Sequence, residues 1–126
     1  MRGSGPLTER YVAAVRLAER THHAQFRKGT HIAYLSHVMS VSALVLEDGG
    51  SEDEAIAGLL HDAIEDGRPP PKDEIRERFG HEVLVMVLAC SDDEPAADGV
   101  KRPWLERKEA YVAHLESARS AQGDGR

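Results

Sequence analysis

The chain has 126 residues, 40% of them apolar, which suffices for one modest core and a single domain. Its formal charge of −6 excludes broad nucleic-acid binding, which needs a basic field to displace counterions from phosphates, though a local basic patch could still admit a small anion. A single cysteine, Cys90, excludes an internal disulfide and a cysteine-based zinc finger. With no signal peptide and no apolar run approaching the roughly 18 residues of a membrane span, a cytoplasmic protein is expected, with no membrane partner.

Residues 1–6 have no periodicity and are expected to be flexible. From Leu7 to Phe26, Leu7, Tyr11, Ala14, Val15 and Ala18 recur at helical spacing, which predicts a first helix. Gly29 is its candidate C-cap, and Arg27 and Lys28 just before it suit the negative end of the helix dipole. These two cations are equally placed to meet an anionic ligand.

Thr30 is a candidate cap for a second helix whose stripe includes Leu35, Val38, Met39 and Val45 and which ends near Glu47. His37 stands within it, either as a satisfied histidine or as a ligand with a partner elsewhere. Ser51-Glu-Asp-Glu54 predicts a capping box opening a third helix, with Ala55, Ile56, Leu59, Leu60 and Ile64 buried. The short connection between the two helices favours antiparallel packing, which would bring His37 towards the later histidine, His61.

The third helix carries the stretch with chemistry in it, Leu59-Leu60-His61-Asp62-Ala63-Ile64-Glu65-Asp66. On a continuous helix His61 lies over Glu65 and Asp62 over Asp66, each pair at i and i+4. Imidazole and carboxylate both ligate divalent ions such as manganese, iron, cobalt, nickel or zinc. The bland alternative is a hydrogen-bonded core histidine followed by a solvated acidic helix end.

Gly67-Arg-Pro-Pro-Pro71 stops this helix, because proline donates no backbone bond and disfavours helix before it. Lys72 to Phe79 predicts a short amphipathic helix with Ile75 and Phe79 inward, broken by Gly80. His81 to Cys90 is nearly all apolar and predicts a buried central helix. The acids of residues 91–99 belong to a solvated loop, Pro103 opens a last helix from Trp104 to about Ala118, and residues 119–126 form a flexible tail.

Four blocks in order, His23-Ala-Gln-Phe-Arg27-Lys28-Gly29, Tyr34-Leu-Ser-His37, Leu59 to Asp66, and Phe79-Gly-His-Glu-Val83, resemble the HD superfamily. The likeness is to the hydrolase domain of RelA/SpoT-type enzymes and their small single-domain relatives. It covers residues 7–118 and implies an all-α fold, a compact HD-domain helical bundle of about six helices. It also implies a typically manganese-dependent pyrophosphohydrolase removing the 3′-diphosphate from guanosine alarmones such as ppGpp. His37, His61 and Asp62 would then be metal ligands, Glu65 and Asp66 would position or deprotonate the attacking water, and Arg27 and Lys28 would meet the nucleotide.

One element of the family pattern is missing. Relatives supply a fourth metal-ligating aspartate in a segment like Ala-Asp-Lys-Leu-x-Asn, which is not found here, and Asp124 in a glycine-rich tail is a poor substitute. The domain is therefore expected to be C-terminally truncated. Three outcomes stay open: water completes an open three-ligand site, an acid comes from a second copy in a homo-oligomer docked on the face left open, or the fold binds without turnover. Two other functions stand beside alarmone hydrolysis: a non-catalytic nucleotide-binding or assembly module, and an HD phosphohydrolase of deoxynucleotides or other phosphomonoesters.

Overall fold

The computed structural model describes residues 5–89, which fold into six helical segments. Cys90, the 91–99 loop, the Trp104 helix and the tail with Asp124 lie outside the described residues. The segments are α1 (Glu9–Thr21), α2 (Tyr34–Glu47), α3 (Glu52–Leu60), the single turn α4 (Ala63–Asp66), α5 (Lys72–Phe79) and α6 (His81–Ala89). The fold is all-helical, as expected; among the described residues the extended structure amounts to an isolated bridge between Phe26 and Ala33.

α3 occupies the middle, packed on α1, α2 and α6. It can do so because, beyond its acidic first turn, it is small and apolar on every side, with Ala55, Ile56, Ala57, Gly58, Leu59 and Leu60 all buried. The expected capping box is present: the Glu54 N–H donates to Ser51 Oγ at 3.1 Å, and the Ser51 N–H to Glu54 Oε1 at 2.9 Å. Around α3, Leu17, Val38, Ile75, Phe79, Val83 and Val87 complete the core. α5 has the expected bounds and buries Ile75 and Phe79; Gly80, at φ 100°, makes the corner into α6, a conformation that disfavours any side chain. α6 buries Val83, Leu84 and Val87 but leaves His81 and Glu82 exposed, so it lies against the core rather than through it.

α2 and α3 run antiparallel. Ser42 Oγ donates to the Ala55 carbonyl at 2.8 Å, Gly58 faces Val41 and Ser42, and the His37 ring meets that of His61, so rising numbers on α2 meet falling ones on α3. The approach is close at Gly58, where a Cβ would lie 3.4 Å from Ser42 Cα, in ordinary contact and with little room beyond it. The start of α1 is tied to the start of α3, with the Thr8 N–H donating to Glu52 at 2.6 Å and the Arg10 guanidinium reaching Asp53 at 2.8 Å and the Phe79 carbonyl at 2.6 Å.

Three boundaries differ from expectation. α1 ends at Thr21, not Phe26, because no apolar stripe continues beyond Ala18; the His22 N–H caps it by donating to the Ala18 carbonyl, and Ala24 turns the chain at φ 64°. Residues 25–34 then form a hairpin, with the Arg27 N–H donating to the Ile32 carbonyl at 2.8 Å and the Tyr34 N–H to the Gln25 carbonyl at 2.8 Å. Gly29 is thus a turn residue rather than a helix cap, and Thr30 serves the same turn, donating to the Arg27 carbonyl at 2.8 Å. The third boundary is the break of the third helix at His61 and Asp62: the run to Asp66 is not one continuous helix, although the Asp66 N–H still donates to the Asp62 carbonyl, its i−4 partner, at 3.0 Å.

Candidate metal centre

Two local features deliver the central side chains. α2 carries His37 towards the end of α3, where the chain breaks from the helix after Leu60 and presents His61 and Asp62 beside it. The break has a visible hydrogen-bond logic, for His61 Nδ1 lies 2.7 Å from the Gly58 carbonyl, one of the acceptors that the end of α3 leaves without a helical partner. A carbonyl only accepts, so Nδ1 carries a proton there and directs Nε2 to the other side of the ring.

One donor atom from each of His37, His61 and Asp62 lies within 4.8 Å of the others. Both histidines are buried, while Asp62 is partly open to solvent. His61 Nε2 and Asp62 Oδ2 are 3.0 Å apart. With Nδ1 already protonated these are two lone-pair atoms face to face, and a positive charge, a second proton or a cation, is needed between or beside them. Their spacing is close to that of adjacent donors on one first-row ion with bonds of about 2.1 Å. Two imidazoles and a carboxylate, enclosed yet open on the aspartate side, could hold a divalent metal.

Tyr34, one turn before His37 on α2, holds this group from behind. Its hydroxyl donates to Asp62 Oδ2, and its ring packs on those of His37, at 5.3 Å between centroids, and His22, at 4.8 Å. Burial foremost, then the hydrogen bond to Asp62 and the negative charges of Asp62 and Asp66, push the phenol far above its ordinary range, against the opposing charge of Arg27. Tyr34 therefore stays a donor at any working pH. Sequence reasoning assigned it no role, although its i, i+3 relation to His37 places the two on one face.

Glu65 and Asp66 sit on α4, directly after the cluster. Asp66 Oδ2 accepts from Gln25 Nε2 at 3.2 Å and lies 3.6 Å from Nδ1 of the buried His22. Arg27 and Lys28 lie on the 25–34 hairpin, Lys28 exposed and Arg27 half-buried near enough for its charge to act on Tyr34. The structure thus gathers His37, His61 and Asp62, with Glu65 and Asp66 on the turn that follows them in the chain and Arg27 near enough to act on Tyr34.

A family model described as HD domain matches residues 14–119, most of the chain. The chain belongs to the HD domain family. A guanosine-3′,5′-bis(diphosphate) 3′-pyrophosphohydrolase of Xenopus tropicalis is 32% identical over 104 residues, 80% of this HD domain chain and 54% of the relative. An enzyme of the same name from Haemophilus influenzae is 31% identical over 99 residues, 79% of the chain and 13% of the relative. A GTP pyrophosphokinase of Streptomyces coelicolor is 36% identical over 74 residues, 59% of the chain and 8% of the relative. The chain thus spans about half the length of the first of these and a small part of the longer two. Among the described residues, no helix of the HD domain is long and apolar enough to cross a membrane.

Proposed function

We propose that this HD domain is a metal-dependent phosphohydrolase that removes the 3′-diphosphate from a guanosine bis(diphosphate) such as ppGpp. The observation that carries the reading is the facing pair His61 Nε2 and Asp62 Oδ2, 3.0 Å apart with His37 beside them, a donor set that needs positive charge and has the residue types to hold a metal cation. The names of the relatives supply the substrate class. His37, His61 and Asp62 would hold the ion, a first-row divalent metal of the kind that mixed nitrogen and oxygen donors accept, with manganese the one that the resemblance to alarmone hydrolases implies. Such an ion supplies Lewis acidity towards a phosphoryl oxygen and lowers the pKa of a water.

The remaining work falls to the chain. Glu65 and Asp66, on the turn that follows the ligands, would orient the attacking water and take its proton. Water adds to the phosphorus nearest the ribose, the bond from that phosphorus to the 3′-oxygen breaks, the oxygen regains a proton and pyrophosphate leaves. Arg27 and Lys28 offset the substrate's negative charge, which an acidic protein must do locally, in a cytoplasm where such nucleotides occur.

The test is manganese-dependent release of pyrophosphate from ppGpp by protein stripped of metal and then reloaded. His61→Ala should abolish release and metal binding together, and release that survives His61→Ala would sink the assignment. Metal binding by the wild-type protein without turnover would instead leave a nucleotide-binding module.

A further inference from the structure

Of the three buried histidines among the described residues, His22 is the one that the proposed chemistry leaves unused. Its side chain is fully enclosed, yet an isoleucine or leucine would fill such a place without the cost of burying a polar ring. Its Nδ1 lies 2.9 Å from Gln25 Oε1, and Gln25 Nε2 lies 3.2 Å from Asp66 Oδ2. Gln25 is also pinned through its backbone, its N–H donating to the His22 carbonyl at 2.9 Å and its carbonyl accepting from Tyr34 at 2.8 Å.

The direction of this chain follows from elementary chemistry. An ionised carboxylate accepts only, so the atom that Gln25 turns to Asp66 is its NH₂, and the atom left for His22 is the amide oxygen. That oxygen also accepts only, so His22 Nδ1 carries a proton. Nε2 is buried with no partner among the described residues, which a bare lone pair tolerates better than an N–H donor would. The neutral Nδ1–H form therefore satisfies every contact, and the ring is held in place by Tyr34 at 4.8 Å. The direct His22 to Asp66 distance of 3.6 Å is too long for a hydrogen bond, so Gln25 transmits the alignment.

We propose that Gln25, oriented by His22, is the positioning residue that aims the Asp66 carboxylate. Asp66 needs one: its side chain is one-third exposed, at the end of a single-turn helix, where it would otherwise sample several rotamers. The kinetic consequence rests on the function proposed above, whereas the hydrogen-bond order does not.

Two measurements on the full chain decide it. Long-range ¹H–¹⁵N correlation at pH 8 should find His22 protonated on Nδ1 in the wild type and redistributed in Gln25→Leu. In the pyrophosphate-release assay, Gln25→Leu should lower kcat by about 10- to 100-fold with KM and manganese affinity unchanged, since a misaimed group costs turnover rather than binding. A merely structural glutamine would lower the melting temperature and leave the kcat of the folded fraction alone. Gln25→Met provides the same loss of the amide should the leucine variant fold poorly. A proton on Nε2 in the wild type, or wild-type kcat in the folded variants, overturns the proposal. If the wild type releases no pyrophosphate, the proposed function falls, and the His22 tautomer and its change in Gln25→Leu still decide the hydrogen-bond order.

Discussion

Gly58 is where the packing of the fold and the geometry of the centre meet, so substitutions there test how one sets the other. A Cβ at this position would lie 3.4 Å from Ser42 Cα, 3.5 Å from Val41 Cγ1 and 3.6 Å from Ser42 N, which is ordinary contact. Gly58→Ala should therefore fit and recover up to about 1 kcal/mol of helix propensity. Valine adds two methyl groups that reach about 1.5 Å further into the same neighbours. Overpacking of this kind costs about 1–3 kcal/mol, and two of the three neighbouring atoms are backbone, so relief comes by moving α2 away from α3. His37 then moves away from His61, and metal affinity should fall by about 10- to 100-fold, as it does when the supports of metal ligands are disturbed. Urea unfolding with a chelator present isolates the packing cost, and manganese titration isolates the site. Gly58→Val with wild-type stability and wild-type metal affinity would refute the argument; Gly58→Ala as damaging as valine would show that the glycine serves some other need.

Tyr34→Phe should weaken manganese binding by about 10-fold, the equivalent of one lost charge-assisted hydrogen bond to Asp62 of about 1.5 kcal/mol, and an unchanged dissociation constant would contradict the supporting role. Ile56→Ala, at a fully buried position on the central helix, should cost about 2–5 kcal/mol in denaturant unfolding; a loss below 1 kcal/mol would mean that α3 is not the centre of the core. Burial alone would raise Glu74, but the hydrogen bonds and charges of Arg78 and Arg20 outweigh it and hold the carboxyl below its ordinary value of 4.5. The folded state then binds this proton less readily than the unfolded one, so the stabilisation is complete above that value and is lost as the pH falls through the lower folded value. The stability gap between wild type and Glu74→Gln should accordingly shrink between pH 6 and pH 3, and a gap that widens on acidification would reverse the assigned sign.

Much of this protein was legible from the sequence alone. Helical periodicity, the Ser51 capping box and the proline stop after Gly67 determined an all-helical fold, because each acts through bonds and contacts within a few residues. His37, His61 and Asp62 stood out as a candidate metal set by residue type and by the antiparallel packing that a short connection implies, and the structure brings them together. The stretch around Arg27 and Lys28 departs from the helix end that its sequence predicts, for a physical reason. Its hairpin is made by backbone bonds between Gln25 and Tyr34 and between Arg27 and Ile32, and no local propensity announces pairs that far apart. The break at His61 is not announced by the apolar run, which reads as one helix; it goes with the His61 ring bonding to the Gly58 carbonyl at 2.7 Å while packing on His37. The alignment of Asp66 through Gln25 and His22 joins residues 41 and more positions apart in the chain, and only the packing of α1 and its hairpin against α4 could bring those polar groups within hydrogen-bond reach.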